Sequence, residues 1–262
     1  MKSIDFLKAH NVDVDKSLEL FGDMSIYNET MQDFLDGIEE KKAELAKYKN
    51  NDDWANYAIY AHSIKSDARY LGFTDIAAKC LEHEMAGKES NQHFIEKDYN
   101  NMVAKTNEMI DIVKEYLNGS DDIKNEQPSV INTNQDVKEV VIVADDSSLV
   151  SNFAKKLLQD KYEIVIATDG KQVIDAIQSG KYKVLCLLLD LNMPNVNGYE
   201  VLDYFKNNNL FASIPVSIIT GEDSKEGIKK AFDYNIVDML VKPFSTEDIK
   251  RVVEKTINRI EG

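Results

Sequence analysis

The sequence predicts two domains, an all-α four-helix bundle followed by an α/β domain with a five-stranded, parallel, doubly wound sheet. Its 262 residues suit two domains of ordinary size. The first half shows apolar residues at helical spacing, whereas the second alternates short apolar runs with helix-compatible segments. Between them lies a polar stretch with little apolar periodicity. We therefore expect a bundle over residues 1–118, a linker over 119–137 and the second domain over 138–262.

The bundle is predicted from helical segments that are separated by short turn-like pieces such as KNND and LGFT. Long helices with short connections favour an antiparallel four-helix bundle. Gly72 and Gly87 are expected to end two of the helices. The helical segments are DKSLELFG, SIYNETMQDFLDGIEEKKAELAKY, DDWANYAIYAHSIKSDARYL, TDIAAKCLEHEMAG and HFIEKDYNNMVAKTNEMIDIVKEYL.

The second domain is predicted from five apolar runs, each followed by a segment that could form a helix. Such runs suit strands that are buried on both faces, as in a parallel sheet between layers of helices. In open sheets of this kind the site lies at the carboxyl ends of the strands. The runs are VVIVAD, EIVIAT, VLCLLLD, PVSIIT and VDMLVK.

Composition excludes several classes of protein. The longest purely apolar run, Val184–Leu189, is far shorter than the roughly 20 residues that span a bilayer, and the N-terminus lacks the apolar core of a signal peptide. Cys80 and Cys186 lie far apart in apolar surroundings and indicate reduced thiols. The net charge of −15, with no basic patch, disfavours direct binding of nucleic acid. We expect a cytoplasmic protein without membrane insertion.

One histidine in the bundle occupies an unusual helix face. At about 100° per residue, small and cationic side chains fall within roughly 60° of His62, and the apolar side chains fall mostly opposite. A lone histidine is more often a packing residue or an idle surface one, but this projection predicts that His62 is exposed beside Lys65 and Arg69. Such a face suits an imidazole that carries a phosphoryl group. The remaining neighbours are Ala55, Ala58 and Ser66, and the opposite side holds Tyr57, Ala61, Ile64, Ala68 and Leu71.

The motif AHSIKSDARYLGF resembles that of the histidine phosphotransfer (HPt) domain, and the resemblance extends over about residues 10–118, including VDVDKSLELFGD. It implies that His62 carries the phosphoryl group and that Lys65 helps to bind it. Ser66 stands where many members have glycine, but it is still small. The other histidines match nothing in the motif and are interpreted as surface or packing residues: His10, His83 and His93.

Polar residues also stand at the ends of four predicted strands. Asp145 and Asp146 end the first, Asp190 the third, Thr220 the fourth and Lys242 the fifth. Each alone could be a helix cap, but together they bring three carboxylates, a hydroxyl and an ammonium into one crevice. Carboxylates this close repel unless a hard cation or a raised pKa relieves them.

This set resembles the response-regulator receiver domain across residues 138–262, with MPNVNG after Asp190 and proline after Lys242. The resemblance implies a flavodoxin-like fold and a phosphoryl acceptor at Asp190. It also implies that Thr220 and Lys242 contact the phosphoryl oxygens. The implied cofactor is Mg²⁺, and its implied ligands are Asp145, Asp146, Asp190 and the backbone carbonyl of Asn192.

Two positions depart from the receiver pattern. Asn197 stands where many members have aspartate, one residue before Gly198, and should serve the turn equally well. Met239 stands three residues before Lys242, where an aromatic switch residue is common. The second departure puts the usual coupling between the threonine and the aromatic residue in doubt, while leaving phosphoryl chemistry intact.

These features predict a two-component phosphorelay intermediate that moves a phosphoryl group between His62 and Asp190. Its partners would be a sensor histidine kinase or other receiver or HPt proteins. The last strand leads into one predicted helix, so we expect a phosphoryl carrier without an ATP-binding kinase domain or an output domain, and not an enzyme. The alternative is a phosphorylation-dependent binding regulator without onward transfer. A phosphatase is a weaker option, because the Asp-x-Asp motif is missing.

Transfer is predicted to occur mainly within one chain. A flexible linker of this length spans about 24 Å and would give an effective concentration of roughly millimolar. The acidic charge of both domains opposes docking, but Lys65 and Arg69 are expected to face the carboxylates and favour it locally.

Overall fold

A computed structural model describes residues 1–118, 138–221 and 225–259. Helices fill the first range and a parallel sheet with flanking helices fills the others, so the predicted fold class is confirmed. The predicted linker, residues 119–137, lies outside the described residues. We call the helical part the bundle and the rest the sheet domain.

The bundle is built from four long helices preceded by two short ones. Helix α3 packs against α4 and α6, and α5 packs against the same two helices. The two short helices pack on this ring and on each other. The bounds are α1 Ile4–Ala9, α2 Val14–Phe21, α3 Met24–Asn50, α4 Trp54–Leu71, α5 Thr74–Lys88 and α6 Gln92–Leu117.

Caps set the limits of the helix that carries His62. The Asp53 side chain accepts a backbone N–H in the first turn of α4, and Gly72 ends the helix with the left-handed conformation that favours glycine. The expectation for Gly87 was wrong, because α5 continues to Lys88. Gly87 instead lets α5 approach α4, since a Cβ there would stand 2.9 Å from the Cβ of Ala58.

The sheet domain has five parallel strands in the order β2-β1-β3-β4-β5. The chain runs from β1 outward to β2 and then back past β1 to β3, so the carboxyl ends of β1 and β3 flank a switch point where ligands usually bind. The strands are β1 Lys138–Ala144, β2 Glu163–Ala167, β3 Tyr182–Leu189, β4 Val216–Thr220 and β5 Asp238–Val241. The helices are α7 Ser148–Leu158, α8 Gly170–Gln178, α9 Gly198–Asn207, α10 Lys225–Phe232 and α11 Thr246–Asn258, with a 3₁₀ turn at Leu210–Ala212.

The two faces of the sheet belong to different cores. One face packs against α8, α9 and α10, while the other packs against α7 and α11 and continues without a break into the core of the bundle. Helix α3 lies directly against α7. The bundle is therefore seated on one side of the sheet domain, next to the switch point. Among the described helices, none has an apolar stretch long enough to cross a membrane.

Candidate functional site

Three carboxylates meet at the switch point, as the strand-end rule predicts. Asp145 and Asp146 follow β1, and Asp190 follows β3, the strand that pairs with β1. One oxygen from each lies within 4.8 Å of the others. Asp145 and Asp190 are fully buried and Asp146 is partly buried. A cluster of hard oxygen ligands with this spacing fits a divalent cation.

Lys242 neutralises part of this charge from the end of β5. Its Nζ lies 2.6 Å from Oδ2 of Asp145 and forms an ion pair with Asp190. Its backbone N–H donates to the carbonyl of Thr220 at 2.8 Å, which holds the ends of β4 and β5 together beside the cluster. Thr220 is fully buried. The structure thus brings together all five residues predicted at the strand ends.

Burial and crowding perturb the pKa values of the cluster. Burial raises the pKa of Asp145 to about 7; the Lys242 ammonium opposes this rise, whereas Asp190 and Asp146 add to it. Burial also raises the pKa of Asp146, opposed first by the ammonium of Lys41. Lys41 belongs to α3, so the bundle supplies a cation to the carboxylates of the sheet domain.

The exposure predicted for His62 was wrong, because only 3% of its surface is accessible. The predicted direction was correct, since the apolar side of α4 fills the bundle core and His62 points away from it. That face is covered by the sheet domain. A Cβ on Gly221, the residue after Thr220, would lie 2.7 Å from Cε1 and Nε2 of His62. The helix projection could not reveal this cover, since it comes from a distant part of the chain.

Glu84 is a site residue that the sequence analysis missed. From α5, its Oε1 lies 3.0 Å from Nδ1 of His62 and 2.8 Å from Nζ of Lys88, and its Oε2 lies 2.7 Å from Nζ of Lys65. Burial alone would raise the pKa of Glu84, but the hydrogen bond to His62 and the Lys65 ammonium hold it well below its usual range. The only local signal is Gly87, one turn further on, where the two helices come close.

The expected orientation of Lys65 was also wrong. Lys65 was predicted to face the carboxylates of the second domain, but it is buried against Glu84 of its own bundle. Lys41, which the sequence analysis did not single out, is the bundle lysine that acts on Asp146.

The two nitrogens of His62 have different surroundings. A carboxylate partner on Nδ1 favours the tautomer that carries its proton on Nδ1 and leaves a lone pair on Nε2. Within the described ranges, Nε2 has no hydrogen-bond partner although it is buried. It lies against Gly221, and a cleft beside it is lined by Asn192 of the sheet domain. The reactive lone pair is thus turned toward the strand ends.

The remaining histidines have the surface or packing roles that were expected. His10 and His93 are exposed. His83 is fully buried, with Nδ1 2.7 Å from the hydroxyl of Tyr57 and Nε2 3.2 Å from Asp98.

The two departures from the receiver pattern have clear positions. Asn197 caps α9 by accepting from the backbone N–H of Glu200, as expected for the turn. The next position, Gly198, requires glycine, because a Cβ there would lie 2.2 Å from the carbonyl oxygen of Asp190. Met239 is half-buried against the core on the α8 and α9 side of the sheet.

Comparison with known proteins gives a family for each part. A model of the response regulator receiver domain matches residues 140–254, and a model of the Hpt domain matches residues 29–116. The chain is 35% identical over 91 residues to a probable methanogenesis regulatory protein, FilR2, of Methanothrix harundinacea, a match that covers 33% of this chain and 59% of that protein. It is 27% identical over 124 residues to the chemotaxis protein CheY of Pseudomonas aeruginosa, covering 47% of this chain and 98% of CheY.

Among solved structures, the receiver domain of the Francisella response regulator 1452 is 27% identical, with a TM-score of 0.41, and the match covers 47% of this chain and 98% of that one. The chain spans between 24% and 59% of the lengths of the first three curated relatives.

Proposed function

The chain carries an Hpt domain and a response regulator receiver domain, the parts of two-component phosphotransfer signalling, and we propose that it is a phosphorelay intermediate. In this proposal the phosphoryl group moves between His62 and Asp190. The domain limits are residues 1–118 and 138–262, joined by a linker over 119–137. The protein acts as a phosphoryl carrier and not as an enzyme, and exchanges phosphoryl groups with sensor histidine kinases or with other receiver or Hpt proteins.

The observation that carries the proposal is the position of His62 Nε2. This nitrogen is buried at Gly221, and its hydrogen-bonding capacity is unused within the described residues. The carboxylates of the sheet domain lie close enough for His62 to oppose, in part, the rise that burial causes in the pKa of Asp146. The acceptor Asp190 belongs to the same cluster, with an oxygen within 4.8 Å of one of Asp146, so His62 and the acceptor lie at one buried contact, an arrangement that suits direct group transfer.

The transfer step balances without another reactant. The bond between Nε2 of phosphorylated His62 and phosphorus breaks, and its electron pair returns to Nε2. An oxygen of the Asp190 carboxylate forms the new bond to phosphorus. A phosphoimidazole with a proton on Nδ1 departs as neutral imidazole, and the hydrogen bond from Nδ1–H to Glu84 orients the ring for this step, so Glu84 acts as a positioning residue.

The surrounding groups reduce the repulsion between the phosphoryl group and the carboxylates. Lys242 stays beside Asp190 as a compact positive charge, and Thr220 offers a hydroxyl at the end of β4. Asp145, Asp146 and Asp190, with the backbone carbonyl of Asn192, would hold Mg²⁺. When bound, Mg²⁺ would neutralise charge on the oxygens of the transferred group.

A label chase tests the proposal. The full chain is labelled with ³²P-phosphoramidate in the presence of Mg²⁺. At successive times, acid-labile histidine phosphate and base-labile aspartyl phosphate are measured separately. We expect His62→Gln to remove the histidine label, with His93→Gln as the matched control on an exposed histidine. We expect Asp190→Asn or excess EDTA to remove the aspartyl label. Histidine label that persists in His62→Gln, or aspartyl label that is indifferent to EDTA, would refute the assignment.

The alternative function, a phosphorylation-dependent binding protein without onward transfer, is favoured by the contact between the bundle and the sheet domain, since a receiver that only binds could use its own bundle as the partner. The same chase separates the two functions: only a relay moves label from His62 to Asp190 and on to a second protein. A cytoplasmic location is part of the main proposal and is compatible with two buried, unpaired cysteines, Cys80 and Cys186.

A further inference from the structure

We propose that the surface formed by α7 and the β5–α11 loop is a docking surface dedicated to this chain's own bundle. We call the docked arrangement the closed pair. While closed, it keeps other proteins away from His62 and the carboxylates, so that exchange with a protein partner requires the two domains to separate, whereas a small phosphodonor does not need this separation. This inference rests on the proposed function and names the partner of the receiver within that function.

An aromatic cluster forms the centre of the contact. Phe21 and Tyr70 come from the bundle, and Phe153 of α7 and Phe244 of the β5–α11 loop come from the sheet domain. The ring centroids of Phe21 and Phe153 are 4.8 Å apart, and those of Tyr70 and Phe244 are 5.7 Å apart, both edge to face. All four side chains are almost completely buried. Separation of the domains would expose all four rings, so this contact has the apolar core of a stable interface.

Polar contacts fix the orientation of the bundle on this core. The carboxylate of Asp33 in α3 accepts from Asn152 Nδ2 at 3.1 Å and from Lys156 Nζ at 2.8 Å, both on α7. The backbone N–H of Phe244 donates to the hydroxyl of Tyr70 at 3.2 Å. Each contact requires a particular side chain from the bundle, which gives the surface its selectivity.

A buried polar network joins the bundle to the residue next to the carboxylates. Asp67 of α4 accepts from Ser147 Oγ at 2.7 Å with one oxygen and pairs with Lys41 at 2.5 Å with the other. Asp67 and Ser147 are each 1% exposed and Lys41 is 6% exposed. An outside domain that replaced the bundle would leave Ser147 without this partner unless it offered the same acid.

Two clefts remain beside the contact in the part of the chain that the structure describes. One of about 310 Å³ reaches His62 between α4 and α5. The other, of about 460 Å³, lies between α3 and the sheet domain and reaches Asp146, with Lys41 on the opposite wall. Clefts of this size admit a small molecule and exclude a folded domain. The second cleft ends at Asp146, whose carboxylate oxygen lies within 4.8 Å of one of Asp190, so a small phosphodonor can come close to the acceptor while the pair stays closed.

The contact offers a direct way to lock the pair. A Cβ on Gly37 of α3 would stand 3.8 Å from the Cβ of Ser148 at the start of α7, the usual Cβ separation in a disulfide. Gly37→Cys with Ser148→Cys should therefore form a disulfide within one chain when oxidised at low micromolar concentration. Glu39→Cys with Ser148→Cys is the matched control, because two residues along α3 place position 39 on the opposite side of the helix.

Access is then measured on the His62→Gln chain that carries the Gly37→Cys and Ser148→Cys pair, oxidised or reduced. The small donor is phosphoramidate. An Asp190 oxygen forms a bond to its phosphorus, the P–N bond breaks, and the nitrogen takes a proton from water and leaves as ammonia. The protein donor is the Asp190→Asn chain labelled at His62. Relative to the reduced chain, we expect the oxidised chain to be labelled by phosphoramidate at a rate within about twofold. We expect its rate of labelling by the protein donor to be at least about tenfold lower.

Each result has a definite meaning. If the reduced chain also takes no label from the protein donor, while the wild-type chain passes label from His62 to Asp190, this result supports the same exclusion. Failure of the intrachain disulfide, or an oxidised chain that takes label from the protein donor as fast as the reduced chain, overturns the dedicated surface. If wild type never passes label from His62 to Asp190, the proposed function fails, and the disulfide yield still decides whether the closed pair exists.

Discussion

Gly221→Ala should weaken the closed pair without disturbing the sheet domain itself. The backbone of Gly221 does not lie in the left-handed region, so alanine can adopt its conformation. The added Cβ would lie 2.7 Å from two atoms of the His62 ring, whereas ordinary contact begins at 3.4 Å. The ring has little room to move, because it is buried and its Nδ1 is bonded to Glu84.

The size of the effect follows from this overlap. A separation of about 0.7 Å must come from a shift of the two domains, because both contacting groups are held by their own neighbours. Overpacking of one methyl group in a well-packed contact typically costs about 1–3 kcal/mol. If this cost applies only to the closed pair, the closing equilibrium falls by about 5- to 150-fold.

The amide of Phe244 reports this equilibrium, because its N–H bonds to Tyr70 across the contact. Its hydrogen-exchange protection, measured by NMR, should fall by the same factor, while the Leu187 amide, bonded to Pro215 within the sheet domain, should keep its protection. In a His62→Ala background the ring is absent, so Gly221→Ala should have no further effect. Unchanged protection of Phe244, or an equal loss with and without the ring, would refute the reasoning.

Three further outcomes are expected. Glu84→Gln should lower the free energy of unfolding by about 3 kcal/mol in urea titrations, because the buried Lys65 loses its carboxylate partner. The double variant, Glu84→Gln with Lys65→Gln, should recover part of this loss. An equal loss in the single and the double variant would contradict the explanation. Burial raises the pKa of Asp145 to about 7, so the folded protein binds more protons than the unfolded chain between about pH 4 and 7. The free energy of unfolding of the metal-free protein should therefore fall as pH rises through this range. Asp145→Asn should flatten this pH profile, and a profile that the substitution leaves unchanged would place the cause elsewhere. Met239→Tyr should alter partner binding and leave Mg²⁺ affinity unchanged by calorimetry, since Met239 packs on the face of the sheet away from the bundle; a large change in metal affinity would show another role.

The sequence was sufficient wherever a local rule applied. Buried strands followed by helices gave the sheet, and the rule that parallel strands meet at their carboxyl ends brought Asp145, Asp190 and Lys242 together. The direction of His62 followed from the helical period alone. These inferences succeed because the geometry within one strand or helix, or between neighbouring strands, is nearly fixed.

The sequence was insufficient wherever two distant segments meet. Glu84 lies on a different helix from His62, and its role depends on how closely α4 and α5 pack. The burial of His62 depends on Gly221, and the pairing of Asp33 depends on α7, across the predicted linker. No periodicity within a helix carries information about such contacts.

The charge of the two domains shows the same limit. The bundle region holds 14 Lys and Arg against 23 Asp and Glu, and residues 138–262 hold 16 against 19, so composition predicts mutual repulsion. The contact instead pairs individual charges. Lys156 of the sheet domain lies against the bundle acids Asp33 and Glu29, and Lys41 of the bundle opposes the rise that burial causes in the pKa of Asp146. Net repulsion acts over a Debye length and is screened, whereas partly buried pairs are screened much less. Docking therefore depends on a few matched pairs around the aromatic cluster, and an outside domain of equal net charge would lack the positions that make those pairs.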